Sequence, residues 1–141
     1  MFVTTPCPAC GTLNRTDLGR LDRHPRCGSC RSPLELTHPV PVTDGTFDAV
    51  LQGSQVPVLV DFYADWCGPC RIVAPVVHAL AQARAGLVLV LKVDTDKSPG
   101  VSERLGIRGI PTLIAFRNGK ETGRHVGVAQ QAQLDALLSA A

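Results

Sequence analysis

The six cysteines of this 141-residue chain are its most reactive side chains, and all of them fall into Cys-x-x-Cys pairs. The pairs are Cys7 with Cys10, Cys27 with Cys30, and Cys67 with Cys70. The first two lie close together in a stretch rich in glycine, proline and arginine, whereas the third follows an apolar run of strand length. Paired cysteines in a reducing compartment either bind a metal or exchange disulfides, and the two contexts predict two different chemistries.

The first two pairs have the spacing of a zinc site, because sixteen residues separate them and two such pairs can surround one ion with four thiolates. A closed shell of four thiolates leaves no position for a substrate, so the zinc is expected to be structural. Its expected ligands are Cys7, Cys10, Cys27 and Cys30. Disulfides, a second redox centre or iron are the alternatives. His24 and His38 are expected at the surface, since the sulfurs already fill the shell.

The third pair lies where a predicted strand ends and a predicted helix begins. The free N–H groups and partial positive charge of a helix N-terminus stabilise a thiolate, which is the nucleophile of disulfide exchange. Two intervening residues put Cys70 one turn into the helix, within bonding reach of Cys67. We therefore predict that Cys67 is the exposed attacking thiol and Cys70 the buried resolving thiol. Inert thiols and zinc ligands are the alternatives, and zinc would need two further ligands with no unassigned cysteine left.

Hydrophobic periodicity predicts the elements that position this pair. Strands are expected at 56–63, 87–93, 112–117 and about 121–128, the last two joined by a hairpin at Asn118-Gly119. Helices are expected at 67–84, at 101–105 and around Leu134 to Leu138. Pro75 should kink the helix that contains it. A further short helix through Phe47 would be capped by Thr43 or Asp44 and ended by Gly53. The pattern predicts an α/β domain with a mixed sheet and helices on both faces.

The chain divides into three predicted parts. Residues 1–36 have few large apolar side chains and no sustained periodicity, so this zinc module should bury little by itself. Residues 37–42 contain prolines and are expected to form a stiff linker. The main domain is expected over residues 43–141.

Composition excludes several other function classes. The net charge is only +2, and residues 1–38 hold five arginines against three acids with one aromatic, which is too weak a pattern for nucleic acid. We see no secretory signal and no apolar run near the roughly 20 residues of a membrane span. We therefore expect a cytoplasmic protein with no membrane or nucleic-acid partner. A monomer is expected because no large apolar surplus is evident.

Several motifs together resemble the thioredoxin family over about residues 40–141. These are VDFYA at 60–64, WCGPC at 66–70, IPT at 110–112 and NG at 118–119. With the four-cysteine extension, the whole chain resembles the zinc-containing thioredoxin-2 subgroup of bacteria. The resemblance implies a thioredoxin fold with a small zinc-ribbon-like module at its N-terminus.

The resemblance also implies roles for single residues. Cys67 matches the nucleophile, Cys70 the resolving cysteine, and Asp61 the buried acid that assists proton transfer at the resolving thiol. Lys92 matches a lysine close to that acid. A carboxyl group in an apolar strand should have a raised pKa on physical grounds as well. The alternative for Asp61 is a structural acid paired with Lys92.

The remaining assignments concern the surface around the disulfide. Pro111 matches a cis-proline, although the sequence alone is equally compatible with an ordinary proline at the start of a strand. Trp66 would be part of the surface that receives substrate, its alternative being a core residue. The expected substrate-binding residues are Trp66, Gly68, Pro69, Ile110, Pro111 and Gly127. Three positions depart from the commonest family pattern, namely Tyr63, Arg71 and His78.

In this family, the dipeptide that matches Gly68-Pro69 is found in strongly reducing members. The resemblance therefore implies a protein-disulfide reductase whose substrates are disulfide-containing proteins, regenerated by an NADPH-dependent flavoprotein, thioredoxin reductase. It implies no bound organic cofactor. A disulfide oxidase or isomerase, and a zinc-dependent redox-sensing docking protein, are the alternatives.

Overall fold

The computed structural model describes the whole chain, residues 1–141. The strands are β1 (Phe2–Pro6), β2 (Leu13–Asp17), β3 (Val40–Pro41), β4 (Val58–Tyr63), β5 (Leu89–Asp94), β6 (Thr112–Arg117) and β7 (Lys120–Val126). The helices are α1 (Phe47–Gly53), α2 (Gly68–Ala83), α3 (Pro99–Arg104) and α4 (Gln131–Ser139), with a 3₁₀ helix at Leu18–Arg23. None of the α-helices combines the length and the apolar character that a membrane span requires.

The main sheet has the strand order β3-β5-β4-β6-β7. Strand β5 pairs in parallel with both β3 and β4, and β6 pairs antiparallel with both β4 and β7. The predicted mixed sheet is therefore confirmed. The hairpin between β6 and β7 turns at Asn118 and Gly119, which both have positive φ angles of 53° and 77°, as a two-residue turn of this kind requires.

Two hydrophobic clusters lie on opposite faces of this sheet. Alternate residues of β4 separate between them, so that Val60 and Phe62 join one cluster while Leu59 joins the other. The second cluster contains the buried stripe of α2, such as Val73 and Leu80. Because strand side chains alternate between faces, Asp61 points to the same face as Leu59. The acid therefore lies on the side of the sheet that α2 covers.

Helix α2 begins immediately after the first cysteine of the third pair. Cys67 is its N-terminal cap in an extended conformation, and its sulfur accepts a hydrogen bond from the Cys70 N–H at 3.2 Å. Pro69 lies in the first turn, where a missing N–H is harmless. Pro75 lies within the helix as expected, and the helix continues through it to Ala83.

The N-terminal residues are more tightly integrated with the sheet than their sequence indicates. Strands β1 and β2 form an antiparallel hairpin. Val3, Leu18 and Leu36 are buried in the same cluster as Phe47 and Phe62. Its few apolar side chains are therefore buried against the main domain and not against one another, as a segment with little core of its own requires.

The residues predicted as a linker contain the edge strand of the main sheet. Val40 pairs with Leu91, and Val40 and Val42 are both buried. A strand of two residues gives no periodicity, so no pattern in the sequence could indicate it. Pro41 has no N–H to donate, which an edge strand tolerates.

Capping also differs from expectation. Thr46 precedes α1, and Asp44 binds a different helix. The two carboxylate oxygens of Asp44 accept hydrogen bonds from the N–H groups of Gly100 and Val101 at 3.0 and 2.8 Å. These are first-turn donors of α3, whose own cap residue Ser98 makes no side-chain hydrogen bond. Asp44 thus supplies the N-terminal cap of α3 from 56 residues away.

We expect Asp44→Ala to lower the free energy of unfolding by about 1 kcal/mol, the usual effect of removing a helix cap. Urea unfolding followed by circular dichroism measures the change. Asp22→Ala is the matched control, because Asp22 is an exposed aspartate without an ion pair. Equal stability of the two variants would contradict the capping role of Asp44.

Candidate active site and metal centre

Cys67 and Cys70 form a disulfide, with their Cα atoms 5.3 Å apart. Their side chains are almost equally buried, at 3% and 4% exposure. The prediction that Cys67 is exposed is therefore wrong for the disulfide form, because Tyr63 and Ile110 pack against the pair. What distinguishes the two sulfurs is their surroundings: Cys67 Sγ lies 3.8 Å from the Ile110 carbonyl oxygen, whereas Cys70 lines a cavity beneath α2.

An apolar surface flanks the disulfide. Trp66 is 69% exposed, so it is not a core residue. Its indole Nε1–H donates a hydrogen bond to Asp96 Oδ2 at 2.8 Å, which fixes the ring against the loop after β5. No sequence pattern predicts this contact, because it joins residues 30 positions apart. Val126 and Val128 are also exposed.

The segment opposite the disulfide is fixed by one backbone hydrogen bond. The Ile110–Pro111 peptide bond is cis, as the resemblance implied. The Pro111 carbonyl accepts a hydrogen bond from the Gly127 N–H at 2.8 Å. Gly127 has a φ angle of +98°, which side chains other than glycine rarely adopt. Ile110, Pro111 and Gly127 are therefore held together, whereas Gly68 and Pro69 are exposed beside the cysteines.

Asp61 is buried in the sheet without a hydrogen-bond partner for its Oδ1 atom. Burial raises its pKa from 3.8 to about 7, and the positive charge of Lys92 partly opposes the rise. The two residues are neighbours in the register of β4 and β5, yet they form no ion pair. The Lys92 Nζ atom lies instead 5.9 Å from the centre of the Tyr63 ring. The alternative reading of Asp61 as a salt-bridged structural acid is thus not supported.

A cavity of about 200 Å³ brings the acid and the resolving cysteine together. Asp61, Cys70 and Lys92 all line it. All three residues that depart from the common family pattern also lie here, since Tyr63, Arg71 and His78 line the cavity. Arg71 donates to the Asp65 carbonyl at 2.7 Å and so holds the loop before the disulfide.

The four remaining cysteines form one compact sulfur cluster. All four sulfurs lie within 4.8 Å of one another, with Cys7 and Cys30 3.6 Å apart and Cys10 and Cys27 also 3.6 Å apart. A tetrahedron with Zn–S bonds of about 2.3 Å separates its sulfurs by roughly 3.8 Å. The cluster therefore fits one zinc ion with four thiolate ligands.

The two halves of this metal centre have the same backbone geometry. In each, the residue after the second cysteine donates its N–H to the carbonyl of the first cysteine, Gly11 to Cys7 at 2.9 Å and Arg31 to Cys27 at 3.0 Å. Both residues have positive φ angles, 77° and 67°. Glycine adopts this conformation freely, whereas Arg31 does so at some conformational expense.

Asn14 is a functional residue of the metal centre that the sequence did not indicate. Its Nδ2 donates to the Cys27 sulfur at 3.4 Å, and its Oδ1 accepts from the Gly28 N–H at 2.9 Å. Hydrogen bonds from the Cys30 N–H, from Asn14 and from the Ser29 N–H lower the pKa of Cys27 to about 6. A lowered thiol pKa favours the thiolate that zinc requires. His24 and His38 lie outside the cluster.

Comparison with known proteins agrees with this geometry. A family model described as Thioredoxin matches residues 38–140, and another described as Thioredoxin 2, N-terminal, matches residues 6–32. Thioredoxin 1 of Nostoc sp. is 50% identical over 97 residues, which are 69% of this chain and 91% of that protein. Thioredoxin C-3 of Corynebacterium nephridii is 33% identical over 132 residues, 94% of this chain and 90% of that protein.

The fold agrees as well. The solved structure of a mutant thioredoxin from Halobacterium salinarum superposes with a TM-score of 0.68 at 34% identity, over 75% of this chain and 92% of that one. The alignment with thioredoxin C-3 is too long to lie within residues 38–140 alone, so it extends into the four-cysteine segment. A Cys-Gly-Pro-Cys disulfide at a helix N-terminus, a buried acid and a cis-proline are all present in this fold. The chain therefore belongs to the thioredoxin family of thiol–disulfide oxidoreductases.

Proposed function

We propose that this protein reduces the disulfides of client proteins through Cys67, and that a flavoprotein of the thioredoxin reductase type returns the dithiol with electrons from NADPH. One observation carries the proposal: Cys70 and an unpartnered buried acid, Asp61, line the same cavity behind the disulfide. A docking platform without redox function has no need of such an acid. The proposed site of action is the cytoplasm, where reduced thiols persist.

Cys67 performs the attack in this proposal. It caps α2, so its sulfur receives the Cys70 N–H and the positive end of the helix dipole. Both stabilise the thiolate that forms when the disulfide is reduced. The exposed Trp66 and the segment around the cis-proline would hold the client chain beside this sulfur, with Ile110, Pro111, Gly127, Gly68 and Pro69 as the proposed contacts.

Cys70 performs the release. Its thiol must lose a proton before it can attack Cys67 in the mixed disulfide. An Asp61 carboxyl with a pKa of about 7 is ionised in about half of the molecules at neutral pH and can accept that proton. Lys92 would keep this pKa from rising further, because its positive charge favours the carboxylate.

The N-terminal segment is proposed to be structural. When bound, zinc cross-links the two cysteine pairs and so fixes a segment with little core of its own. Residues 1–36, the connecting residues 37–42 and residues 43–141 are proposed to fold together, because Val3, Leu18 and Leu36 are part of the main core. With four thiolate ligands, the proposed zinc site has no open coordination position for catalysis.

Single-cysteine variants test the order of attack. We expect Cys70→Ser to accumulate a mixed disulfide with insulin, because the resolving thiol is gone while the attacking thiol remains. We expect Cys67→Ser to accumulate none, and both variants to show insulin reduction at the dithiothreitol background. Non-reducing electrophoresis and mass spectrometry detect the adduct. The double variant is the control, and trapping by Cys67→Ser alone would reverse the two roles.

The buried acid makes stability depend on pH. Between the unfolded pKa of 3.8 and the folded value of about 7, the folded chain holds a proton that the unfolded chain has released. The free energy of unfolding should therefore fall as pH rises through this window and change no further above it. We expect Asp61→Asn to remove this dependence and to be more stable than the wild type at pH 8 by on the order of 2–4 kcal/mol.

Urea unfolding of the disulfide form at pH 5, 6, 7 and 8 measures this effect. The difference between variant and wild type cancels all other titrating groups. Asp22→Asn is the control, because this exposed aspartate should change neither the slope nor the stability. A parallel pH dependence in Asp61→Asn and the wild type would contradict the raised pKa.

Loss of a zinc ligand should affect stability more than chemistry. We expect Cys10→Ser to reduce the zinc content from one per chain to near zero. The free energy of unfolding should fall by at least about 2 kcal/mol, a fraction of the 10–16 kcal/mol typical of zinc-finger peptides. Insulin reduction per folded molecule should remain. Elemental analysis and urea unfolding measure these effects, and Ser29→Ala, in the loop of the other cysteine pair, is the control. Unchanged stability after zinc loss would contradict a structural metal.

A further inference from the structure

A cleft of about 270 Å³ in the N-terminal segment gathers four of the five arginines of residues 1–38. Strand β2 contributes Arg15, the 3₁₀ helix contributes Arg20 and Arg23, and the loop before the second cysteine pair contributes Arg26. Asp17 is the only acid that lines the cleft. Four arginines and one aspartate give it a formal charge of +3, more than the +2 of the whole chain.

Most of these arginines have no partner of opposite charge. Arg15, Arg23 and Arg26 form no ion pair. The Arg20 Nε atom lies 3.7 Å from Asp17 Oδ2, which is too far for a hydrogen bond. The other oxygen of that carboxylate accepts a backbone N–H and caps the 3₁₀ helix. The excess positive charge of the cleft is therefore available to a molecule that binds there.

The metal centre does not use these guanidinium groups. Asn14 lines the cleft and also bonds the Cys27 sulfur, so the two sites are adjacent. Four thiolates around one zinc ion are a net anion, which offsets part of the repulsion among the arginines. The sulfurs accept hydrogen bonds from Asn14 and from backbone N–H groups, and from no arginine. The arginine N–H groups thus remain unused by the metal centre.

Two of the guanidinium groups are held in place by contacts that leave most of their donors unused. The Arg15 guanidinium carbon lies 4.4 Å from the centre of the Phe2 ring, a distance typical of a cation–π contact. Arg26 donates from Nη1 to the Arg31 carbonyl at 3.1 Å. A guanidinium group has five N–H donors, so both groups retain the paired donors that a carboxylate accepts. Because these groups are already ordered, less entropy is lost when a ligand binds.

We propose that this cleft binds an acidic segment of a partner protein, one with several aspartate or glutamate side chains in succession. Four guanidinium groups from three parts of the chain match several carboxylates along a peptide better than one small anion. No aromatic side chain lines the cleft, so it offers nothing on which a nucleic-acid base could stack. The N-terminal segment therefore recruits a partner in addition to its structural role, and the inference does not depend on the chemistry of Cys67.

The test compares the double variant Arg20→Gln/Arg23→Gln with Arg117→Gln/Lys120→Gln, which removes the same charge at exposed positions beside the β6–β7 turn. Each zinc-loaded protein in its disulfide form is titrated into a fluorescein-labelled peptide with a run of glutamates, and fluorescence anisotropy reports binding. The salt concentration is about 0.15 M, where charges are screened beyond about 8 Å. We expect the cleft variant to bind about ten-fold more weakly than the wild type, because each exposed arginine–carboxylate pair contributes a few-fold in affinity.

We expect the control variant to bind within about two-fold of the wild type, because net charge alone acts weakly at this salt concentration. A peptide with glutamines in place of the glutamates should not bind. Absence of binding to the wild type would overturn the proposal, and so would an equal loss of affinity in both double variants, which indicates general attraction by net charge. Displacement of the peptide by pyrophosphate at a lower concentration than by unlabelled peptide would also overturn it, in favour of a phosphate ligand. No arm measures disulfide reduction, so failure here leaves the proposed function untouched.

Discussion

One buried carboxyl group without a partner constrains the rest of this structure. Asp61 lies in a strand whose other residues are apolar, and its side chain points beneath the active-site helix. Burying an uncompensated acid costs several kcal/mol when it is ionised, so it remains partly protonated at neutral pH. Packing in the two hydrophobic clusters on either side of the sheet offsets this free energy, because their large side chains are almost entirely buried. A well-packed core is thus the condition for an acid that exchanges protons near pH 7.

The position of Lys92 determines how far the pKa of Asp61 is raised. A lysine bonded directly to Asp61 would hold the carboxyl permanently as an anion, which could accept a proton only with difficulty. A residue without charge would leave the pKa higher still. Lys92 is a register neighbour on the same face but forms no ion pair, and its ammonium group lies towards the Tyr63 ring. Its charge therefore lowers the pKa of Asp61 without removing the proton altogether.

Sequence periodicity was sufficient for the elements with long apolar patterns and insufficient for contacts between distant residues. The pattern located β4, α2 and β6 to within two residues, because each buries several side chains at a regular spacing. It could not reveal that Asp44 caps α3 or that Trp66 binds Asp96, because those partners are 56 and 30 residues apart. Spacing identified the zinc ligands, while Asn14 was missed because a lone amide has no pattern. The prediction that Cys67 is exposed was wrong, because its exposure depends on tertiary packing against Ile110.

The N-terminal segment packs on the main domain and brings the residues that follow it to the wall of the active-site cavity. Its apolar residues Val3, Leu18 and Leu36 are fixed in the main core, so the segment cannot move independently of the sheet. Pro39 follows Leu36 by three residues and consequently remains at the wall of the cavity that Asp61 lines. The cysteine cluster, the core and the cavity of Asp61 are therefore joined by one short stretch of chain.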